Sequence, residues 1–157
     1  PGFMHRIGGL EKSNETGAIS TEPENHFLMT KLRAEKVEKI ADSLPPLTVE
    51  GNPDADLLIV GFGGTYGHLH SAMDQLNAMG KKTALAHFRV INPLPKNTAE
   101  VLRKYKTIVV AEQNMGQFAG YLRMKVPGLN INQFNQVKGQ PFVTRELVDA
   151  FTKLLEE

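Results

Sequence analysis

Continuous apolar runs mark the chain from residue 56 onward and predict buried strands. Two of them are DLLIVGF from residue 56 and TIVVAEQN from residue 107, and KTALAHFRV from residue 82 lies between them. A strand that is covered on both faces shows a continuous apolar run, whereas a strand with one face in water alternates. These runs therefore predict central strands of a mainly parallel sheet.

Helical periodicity separates the predicted strands. Residues 65–79 place Leu69, Met73 and Leu76 on one face, and shorter helical segments follow the later strands. The run LNINQFNQV, from residue 129, alternates and predicts a strand at a sheet edge. Strand and helix alternate about four times, which is typical of right-handed parallel crossovers. We predict an α/β fold, a three-layer sandwich with a mostly parallel sheet of about five strands.

The N-terminal part lacks this repeat. Residues 1–20 are rich in Gly, Ser, Asn and Glu, and we predict an arm or linker. Residues 21–46 predict a helix and linker, with a capping box at Thr21 and Glu24 and a stop at a Pro-Pro pair. We assign residues 47–157 to the α/β domain. The chain opens without an initiator Met, and we expect it to be a fragment of a longer protein.

Composition and charge exclude several classes of function. Lys and Arg number 18 against 17 Asp and Glu, so no basic field favours nucleic acid or an anionic membrane. The longest apolar runs are too short to cross a bilayer. The absence of Cys excludes disulfides, thiolate nucleophiles and Cys-ligated iron–sulfur clusters from this stretch. A cysteine-free sequence fits a reducing compartment, and we expect a cytoplasmic location.

The turn GFGGTYG, at Gly61–Gly67, raises the question of a bound nucleotide. A dinucleotide-binding turn needs G-x-G-x-x-G, but Tyr66 holds the third glycine position here. The next strand ends in Arg89 and offers no carboxylate for a ribose. We therefore attribute the glycines to positive φ and close packing, with Thr65 as a helix cap. The alternative is a flavodoxin-like module that binds a phosphate-bearing ligand at Gly61–Gly67.

Polar side chains follow the ends of two predicted strands. Arg89 and Asn92 follow the second strand, and Glu112, Asn114 and Gln117 follow the third. The carboxyl ends of parallel strands meet at one edge, where α/β folds place ligand sites. We expect either polar contacts to a partner or capping of the loops at this edge. An ion pair between Arg89 and Glu112 is a further prediction.

The sequence offers no set of nucleophile, base and orienting group. Cys is absent, and no Ser stands in a nucleophile elbow. His68 and His70 are two residues apart and so face different sides of a helix, whereas metal ligands on a helix are three or four apart. We predict no catalytic, cofactor-binding or metal-binding residue in this chain.

Several stretches together resemble a known protein family. They are RIGGLEKSNETG, TEPENHFLMTKLRAEKV, the segment from DADLLIVGFGGTYG to HFRVINPLP, IVVAEQNMGQFAGYLR and VKGQPFVTRELVDAF. In this order they are similar to the C-terminal part of the α subunit of 2-oxoacid:ferredoxin oxidoreductases, and most of all to the 2-oxoglutarate type. The likeness extends over nearly the whole chain, and the combination of GFGGTYG, RVINPLP and EQNMGQ makes it specific.

The resemblance implies a transketolase C-terminal-like domain of an enzyme that oxidatively decarboxylates a 2-oxoacid. In that family thiamine diphosphate attacks the keto carbon, CO₂ leaves, coenzyme A takes the acyl group, and an iron–sulfur cluster passes electrons to ferredoxin. Thiamine and its Mg²⁺ lie between a pyrimidine-binding domain of the α subunit and a pyrophosphate-binding domain of the β subunit. The resemblance therefore implies that the cofactors and catalytic groups lie outside this chain.

The resemblance also implies an architectural role, in which the strand-end edge packs against a neighbouring domain. Such packing would support assembly and shape the access of substrate and coenzyme A. The residues expected at this interdomain rim are Thr65, Tyr66, Arg89, Asn92, Glu112, Asn114 and Gln117. The C-terminal domains of transketolase and of pyruvate dehydrogenase β subunits share the fold. The segment RIGGLEKSNETG argues against that closer relationship, because those relatives lack it.

Overall fold

The computed structural model describes residues 8–156, so residues 1–7 of the predicted arm lie outside the described residues. The helices are α1 (Pro23–Lys39), α2 (Tyr66–Ala78), α3 (Thr98–Arg103), α4 (Gln117–Lys125) and α5 (Thr144–Glu156). The strands are β1 (Val49–Gly51), β2 (Leu57–Phe62), β3 (Thr83–Phe88), β4 (Thr107–Glu112) and β5 (Ile131–Asn135). Within residues 8–156, no helix combines the length and hydropathy that crossing a bilayer requires.

The described residues form two compact units, 8–44 and 45–156. In the first unit, the predicted arm contains a defined turn. Lys12 and Ile19 form a β-bridge, and the Ser13 amide donates to the Ala18 carbonyl at 2.7 Å. The backbone groups of this part of the arm therefore bond to one another.

Helix α1 follows the turn, and its predicted cap is wrong. The N-cap residue is Glu22, one position after Thr21, and no side chain caps the helix. Pro23 takes the first helical position, where its missing N–H costs nothing, and this sets the start of the helix. No residue of α1 is buried.

The second unit contains a five-stranded sheet with the order β1-β3-β2-β4-β5. The pairs β2–β3, β2–β4 and β4–β5 are parallel, and β1 pairs with β3 in the antiparallel direction. The predictions of a mostly parallel sheet and of an edge position for the alternating strand are confirmed. The four parallel strands end at the same edge of the sheet.

Helices cover both faces of the sheet, and the three-layer prediction is confirmed. Successive residues of a strand face opposite sides, and here both sides are buried. On one face, residues such as Leu58 and Val60 pack with Leu102 of α3 and Leu122 of α4. The other face contains Leu57 and Ile59 of β2, and its cluster is completed by residues of α2 and α5, namely Leu69, Ala72, Met73, Leu76, Leu147, Val148 and Phe151.

Strand β1 was not expected from the sequence. It has only three residues, all exposed, so it gives no hydrophobic signal. The segment before it is fixed by Asn97, which precedes α3. The Asn97 side chain accepts from the Leu47 amide at 2.8 Å and donates to the Leu47 carbonyl at 2.9 Å. Strand β1 is relevant to the candidate site because it carries Glu50, which lies beside Tyr66.

One prediction concerns the carboxylate that joins the arm to α1. The Arg33 guanidinium donates to Glu11, as does the Lys12 amide, and these bonds lower the pKa of Glu11 from 4.5 to about 2. The ionised form therefore favours the native arm above pH 4.5, and this contribution is lost as the pH falls through about 2. An NMR titration should give Glu11 a midpoint near 2, which Arg33→Met should move toward 4.5.

The control is Lys31→Met, which removes an exposed charge that pairs with Glu35. It should leave the Glu11 midpoint unchanged. A midpoint near 4.5 in the unsubstituted chain would contradict the assigned contact.

Candidate functional site

The seven residues expected at the interdomain rim all lie at or shortly after the carboxyl ends of parallel strands. We call this set the strand-end rim, and it consists of Thr65, Tyr66, Arg89, Asn92, Glu112, Asn114 and Gln117. Strands β2 and β3 end in register, with Phe62 opposite Phe88, and Glu112 at the end of β4 stands opposite Asn135 of β5. The sheet therefore brings residues that are far apart in sequence to one edge of the domain.

Glu112 is buried and stabilises the turn between β4 and α4. Its side-chain Oε2 accepts from the Phe118 amide at 2.8 Å, and Oε1 accepts from the Ala119 amide at 2.9 Å. The first amides of a helix lack partners within the helix and carry a partial positive charge. Of the two expectations for this edge, loop capping is the one that describes Glu112.

Asn114 completes the same turn. Its Oδ1 accepts from the Gly116 amide at 2.8 Å and from the Gln117 amide at 3.1 Å. Gly116 has φ 95°, and a Cβ there would lie 2.7 Å from Oε1 of Gln133. Four consecutive amides at the start of α4 thus bind to side chains of this chain, which closes this helix end to an external anion.

The predicted ion pair between Arg89 and Glu112 is wrong. Both carboxylate oxygens of Glu112 accept backbone amides in the interior, and within residues 8–156 no salt bridge joins the two side chains. The Arg89 side chain is exposed, and its positive charge lowers the pKa of Tyr66 and of His87. Sequence spacing placed both residues at the correct edge but gave no information on the direction of their side chains.

Tyr66 is the centre of a polar and aromatic cluster at the β1 side of the rim. Its hydroxyl donates to Glu50 Oε2 at 2.9 Å, and its ring centroid lies 5.5 Å from that of His70 and 5.2 Å from that of His87. The bond to Glu50 and partial burial raise the pKa of Tyr66, and the charge of Arg89 opposes them. The contact with Glu50 could not be foreseen, because strand β1 was not predicted.

His87 lies beneath Tyr66 on β3. Its Nε2 is buried and has no hydrogen-bond partner. Burial lowers the pKa of His87, while the carbonyl of Phe62 and the charge of Glu50 act in the opposite direction. Burial thus favours the neutral imidazole, which packs against the tyrosine ring.

His70 contacts two carboxylates, at 3.4 Å from Glu50 and 3.1 Å from Asp74. Within the described part of the chain, no group of three His, Cys, Asp or Glu residues could hold a metal ion. The sequence also has no Cys to ligate an iron–sulfur cluster. The residues present therefore do not fit the Mg²⁺ or the cluster of the family resemblance.

The remaining rim residues fix loops or face outward. Asn92 Oδ1 accepts from the Tyr121 hydroxyl at 3.0 Å, which ties the loop after β3 to α4. Thr65 donates from its hydroxyl to the Phe62 carbonyl at 2.8 Å and makes no capping bond to α2. Thr65 therefore takes the expected N-cap position of α2, but its side chain does not cap the helix. Gln117 is exposed.

Different physical reasons explain why glycine stands at each position of the turn between β2 and α2. A Cβ at Gly61 would overlap the Leu69 side chain and lie 2.8 Å from Thr65 Oγ1, so close packing is confirmed there. Gly63 has φ 61°, which confirms the expected positive φ. A Cβ at Gly64 or at Gly67 would have no neighbour within 4 Å, so packing does not explain these two.

Comparison with known proteins identifies similar chains. A family model described as pyruvate:ferredoxin oxidoreductase core domain II matches residues 55–147. The 2-oxoglutarate oxidoreductase subunit KorA of Mycobacterium tuberculosis is 43% identical over 148 residues, which cover 94% of this chain and 22% of that protein. The chain spans about a fifth to a quarter of the length of the curated relatives it matches.

Solved structures share the fold. The 2-oxoglutarate:ferredoxin oxidoreductase from Magnetococcus marinus, with 2-oxoglutarate, coenzyme A and succinyl-CoA bound, matches with a TM-score of 0.83 and 28% identity. The match covers 97% of this chain and 27% of that one. A split-gene transketolase matches with a TM-score of 0.53 and 19% identity, over 72% of this chain and 43% of that one. The second likeness concerns the fold alone.

The buried carboxylate gives a stability prediction. Glu112→Gln leaves one oxygen to accept two amides and turns an NH₂ group toward a backbone N–H. Because hydrogen bonds to a buried charged acceptor contribute more than neutral ones, we expect a loss of about 3 kcal/mol in the free energy of unfolding. Urea denaturation at neutral pH measures this loss.

The matched control is Glu100→Gln, since Glu100 is exposed and only pairs with Lys104 on the helix surface. Its free energy of unfolding should change by less than about 0.5 kcal/mol. Equal effects of the two substitutions would contradict the role of Glu112.

The two classes of glycine give a second prediction. Gly61→Ala forces a methyl group against Leu69 and should lower the free energy of unfolding by about 1–3 kcal/mol. Gly67→Ala adds the same methyl group in open space within α2, where Ala is up to about 1 kcal/mol more favourable than Gly. Thermal denaturation of both variants tests the difference, and a more stable Gly61→Ala would refute the packing argument.

Proposed function

This chain belongs to the pyruvate:ferredoxin oxidoreductase core domain II family, and we propose that it is part of the α subunit of a thiamine-dependent 2-oxoacid:ferredoxin oxidoreductase. We further propose 2-oxoglutarate as the substrate. The support is the 43% identity to a 2-oxoglutarate oxidoreductase subunit and the fold shared with a 2-oxoglutarate:ferredoxin oxidoreductase.

In the proposed enzyme, 2-oxoglutarate loses CO₂, coenzyme A takes the acyl group, and two electrons pass to ferredoxin. We assign no bond-making step to this chain. Its cysteine-free sequence has no thiolate for a cluster, and the rim groups Tyr66 and Glu112 are already bound to partners within the domain. The cofactors and the reacting groups belong to other domains of the α subunit and to the β subunit.

The role we propose for this domain is to dock through the strand-end rim. The buried carboxylate of Glu112 carries this proposal, because both of its oxygens bind backbone amides and hold the loop after β4 in one conformation. The side chain of Gln113 donates to the Gln140 carbonyl at 2.6 Å, which ties this loop to the segment after β5. Met115, 78% exposed, stands on the fixed loop. A loop that is already fixed loses little conformational freedom when a partner covers it, which suits a protein contact.

The partners in this proposal are the remaining domains of the α subunit and the β subunit, with ferredoxin and coenzyme A as partners of the complex. Nucleic acid and membrane are not among them, in keeping with the balanced charge of the chain. A cytoplasmic location belongs to the proposal, supported by a sequence without Cys.

The docking role is tested by reversing one exposed rim charge in the assembled complex. Arg89→Glu should weaken the association of the complex by about tenfold or more, because a like or unpaired charge in an interface is costly. Native mass spectrometry and ferredoxin-linked turnover of 2-oxoglutarate report the two consequences. Arg103→Glu is the matched control, because Arg103 is also exposed but ends α3, next to the amino end of β4.

If Arg89→Glu left assembly and turnover unchanged, Arg89 would not belong to the docking surface. Decarboxylation of a 2-oxoacid by this chain alone, with thiamine diphosphate supplied, would contradict the proposal that the chemistry lies elsewhere. Micromolar binding of NADP, FMN or coenzyme A to this chain in calorimetry would instead favour the phosphate-bearing ligand at Gly61–Gly67.

A further inference from the structure

One histidine that contacts two carboxylates joins helix α2 to strand β1. His70 Nε2 lies 3.4 Å from Glu50 Oε2, and His70 Nδ1 lies 3.1 Å from Asp74 Oδ2. Glu50 belongs to β1, whereas His70 and Asp74 are four residues apart on α2. Both nitrogens of the ring thus face an acceptor, and we call these three side chains the His70 link.

Only the protonated imidazole can donate along both contacts of the His70 link. Imidazolium carries a hydrogen on each ring nitrogen, whereas neutral imidazole carries one hydrogen and one lone pair. An ionised carboxylate accepts hydrogen bonds and has no hydrogen to donate. In the neutral ring, one of the two contacts therefore sets a lone pair against an oxygen, and that contact is no longer favourable.

The contact with Asp74 is better placed than the contact with Glu50 to keep the remaining hydrogen. It is the shorter of the two and lies within one helix, at the i,i+4 spacing. The contact with Glu50 joins two elements that are not adjacent along the chain, and its 3.4 Å is beyond the usual range for an N–H···O bond. Loss of one hydrogen therefore releases Glu50 first.

Release of Glu50 reaches the strand-end rim through Tyr66. The same oxygen, Glu50 Oε2, accepts from the Tyr66 hydroxyl at 2.9 Å, and the centroids of the Tyr66 and His70 rings are 5.5 Å apart. While His70 is protonated, the carboxylate has two donors on α2. When His70 is neutral, the carboxylate has one donor and faces a lone pair.

We propose that the His70 link is a proton-dependent switch within the domain, which sets the orientation of Tyr66 at the strand-end rim. In the protonated state, Glu50 is held against α2 and binds the Tyr66 hydroxyl. In the neutral state, Nδ1–H stays with Asp74, Glu50 moves away from Nε2, and the contact between Glu50 and Tyr66 loosens. The inference stands on the geometry of this domain and does not require the proposed function.

The other charged and titratable groups of this cluster lie on β3 and directly after it. The His87 ring lies 5.2 Å from that of Tyr66, and the charge of Arg89 acts on Tyr66. Burial lowers the pKa of His87, and the charge of Glu50 opposes that shift. Arg89 keeps its charge at every pH of the test. A variant at His70 therefore separates the contribution of the link from that of His87.

NMR spectroscopy of the chain between about pH 5.5 and 8 tests the switch, because the charge of histidine ordinarily changes in this range. The nuclear Overhauser effect between the Tyr66 ring and the Glu50 side chain should weaken several-fold as the pH rises, with the same midpoint as the His70 ring signals. The nitrogen shifts of neutral His70 should place its hydrogen on Nδ1. A hydrogen on Nε2, or an Overhauser effect that does not change with pH, would overturn the inference.

Two variants assign the pH dependence to His70. In His70→Gln, which does not titrate, the Overhauser effect should no longer change with pH. In His70→Lys, which stays charged over this range, it should remain strong at both ends. The matched control is His68→Gln, because His68 lies two residues earlier on α2 and faces a different side, so the pH dependence should be retained. A pH dependence that persists in His70→Gln belongs to another group, such as His87, and also overturns the inference.

Discussion

The strand-end rim depends on one interaction, the binding of two backbone amides by the buried carboxylate of Glu112. It fixes the start of α4 against the end of β4, at 2.8 and 2.9 Å from the amides of Phe118 and Ala119. The position of the helix in turn places the Phe118 ring, which packs edge-on at 5.0 Å from Phe62 and 5.1 Å from Phe88. The ends of three parallel strands are thus joined beneath the rim by one ionised side chain and three aromatic rings. A rim built in this way keeps its shape, which is what a docking surface requires.

The proposed role follows from how the polar groups of the rim are used. Glu112, Asn114 and Asn92 bind to groups of the domain itself, and Tyr66 binds Glu50. Groups that are engaged in this way position loops, and they are poorly suited to proton transfer or nucleophilic attack on a substrate. Arg89 and Gln117 remain exposed for a partner. This use of the polar groups supports the proposal that the chain shapes an assembly whose reacting groups lie in other domains.

Most of the fold could be predicted from the sequence, because continuous apolar runs and helical periodicity are direct consequences of a doubly covered parallel sheet. Strand β1 could not, since its three exposed residues carry no such pattern. Hydrophobic patterns also do not show the direction of a polar side chain, and this explains the errors at the site. The edge on which Arg89 and Glu112 lie follows from strand order, but the inward direction of Glu112 follows from the amides of α4. The partner of Tyr66 stands on the strand that was missed. The interdomain role of the rim stays a prediction.

The central claim is that the strand-end rim is a contact surface within a larger 2-oxoacid:ferredoxin oxidoreductase. The most direct measurement is a cryo-electron microscopy structure of the assembled α–β complex that contains this chain. The account predicts that Tyr66, Arg89 and Gln117 lie in contact with another domain, with the bonds from Glu112 to the amides of α4 unchanged. A complex in which these three side chains face solvent, or in which Glu112 has turned toward a bound substrate, would contradict it.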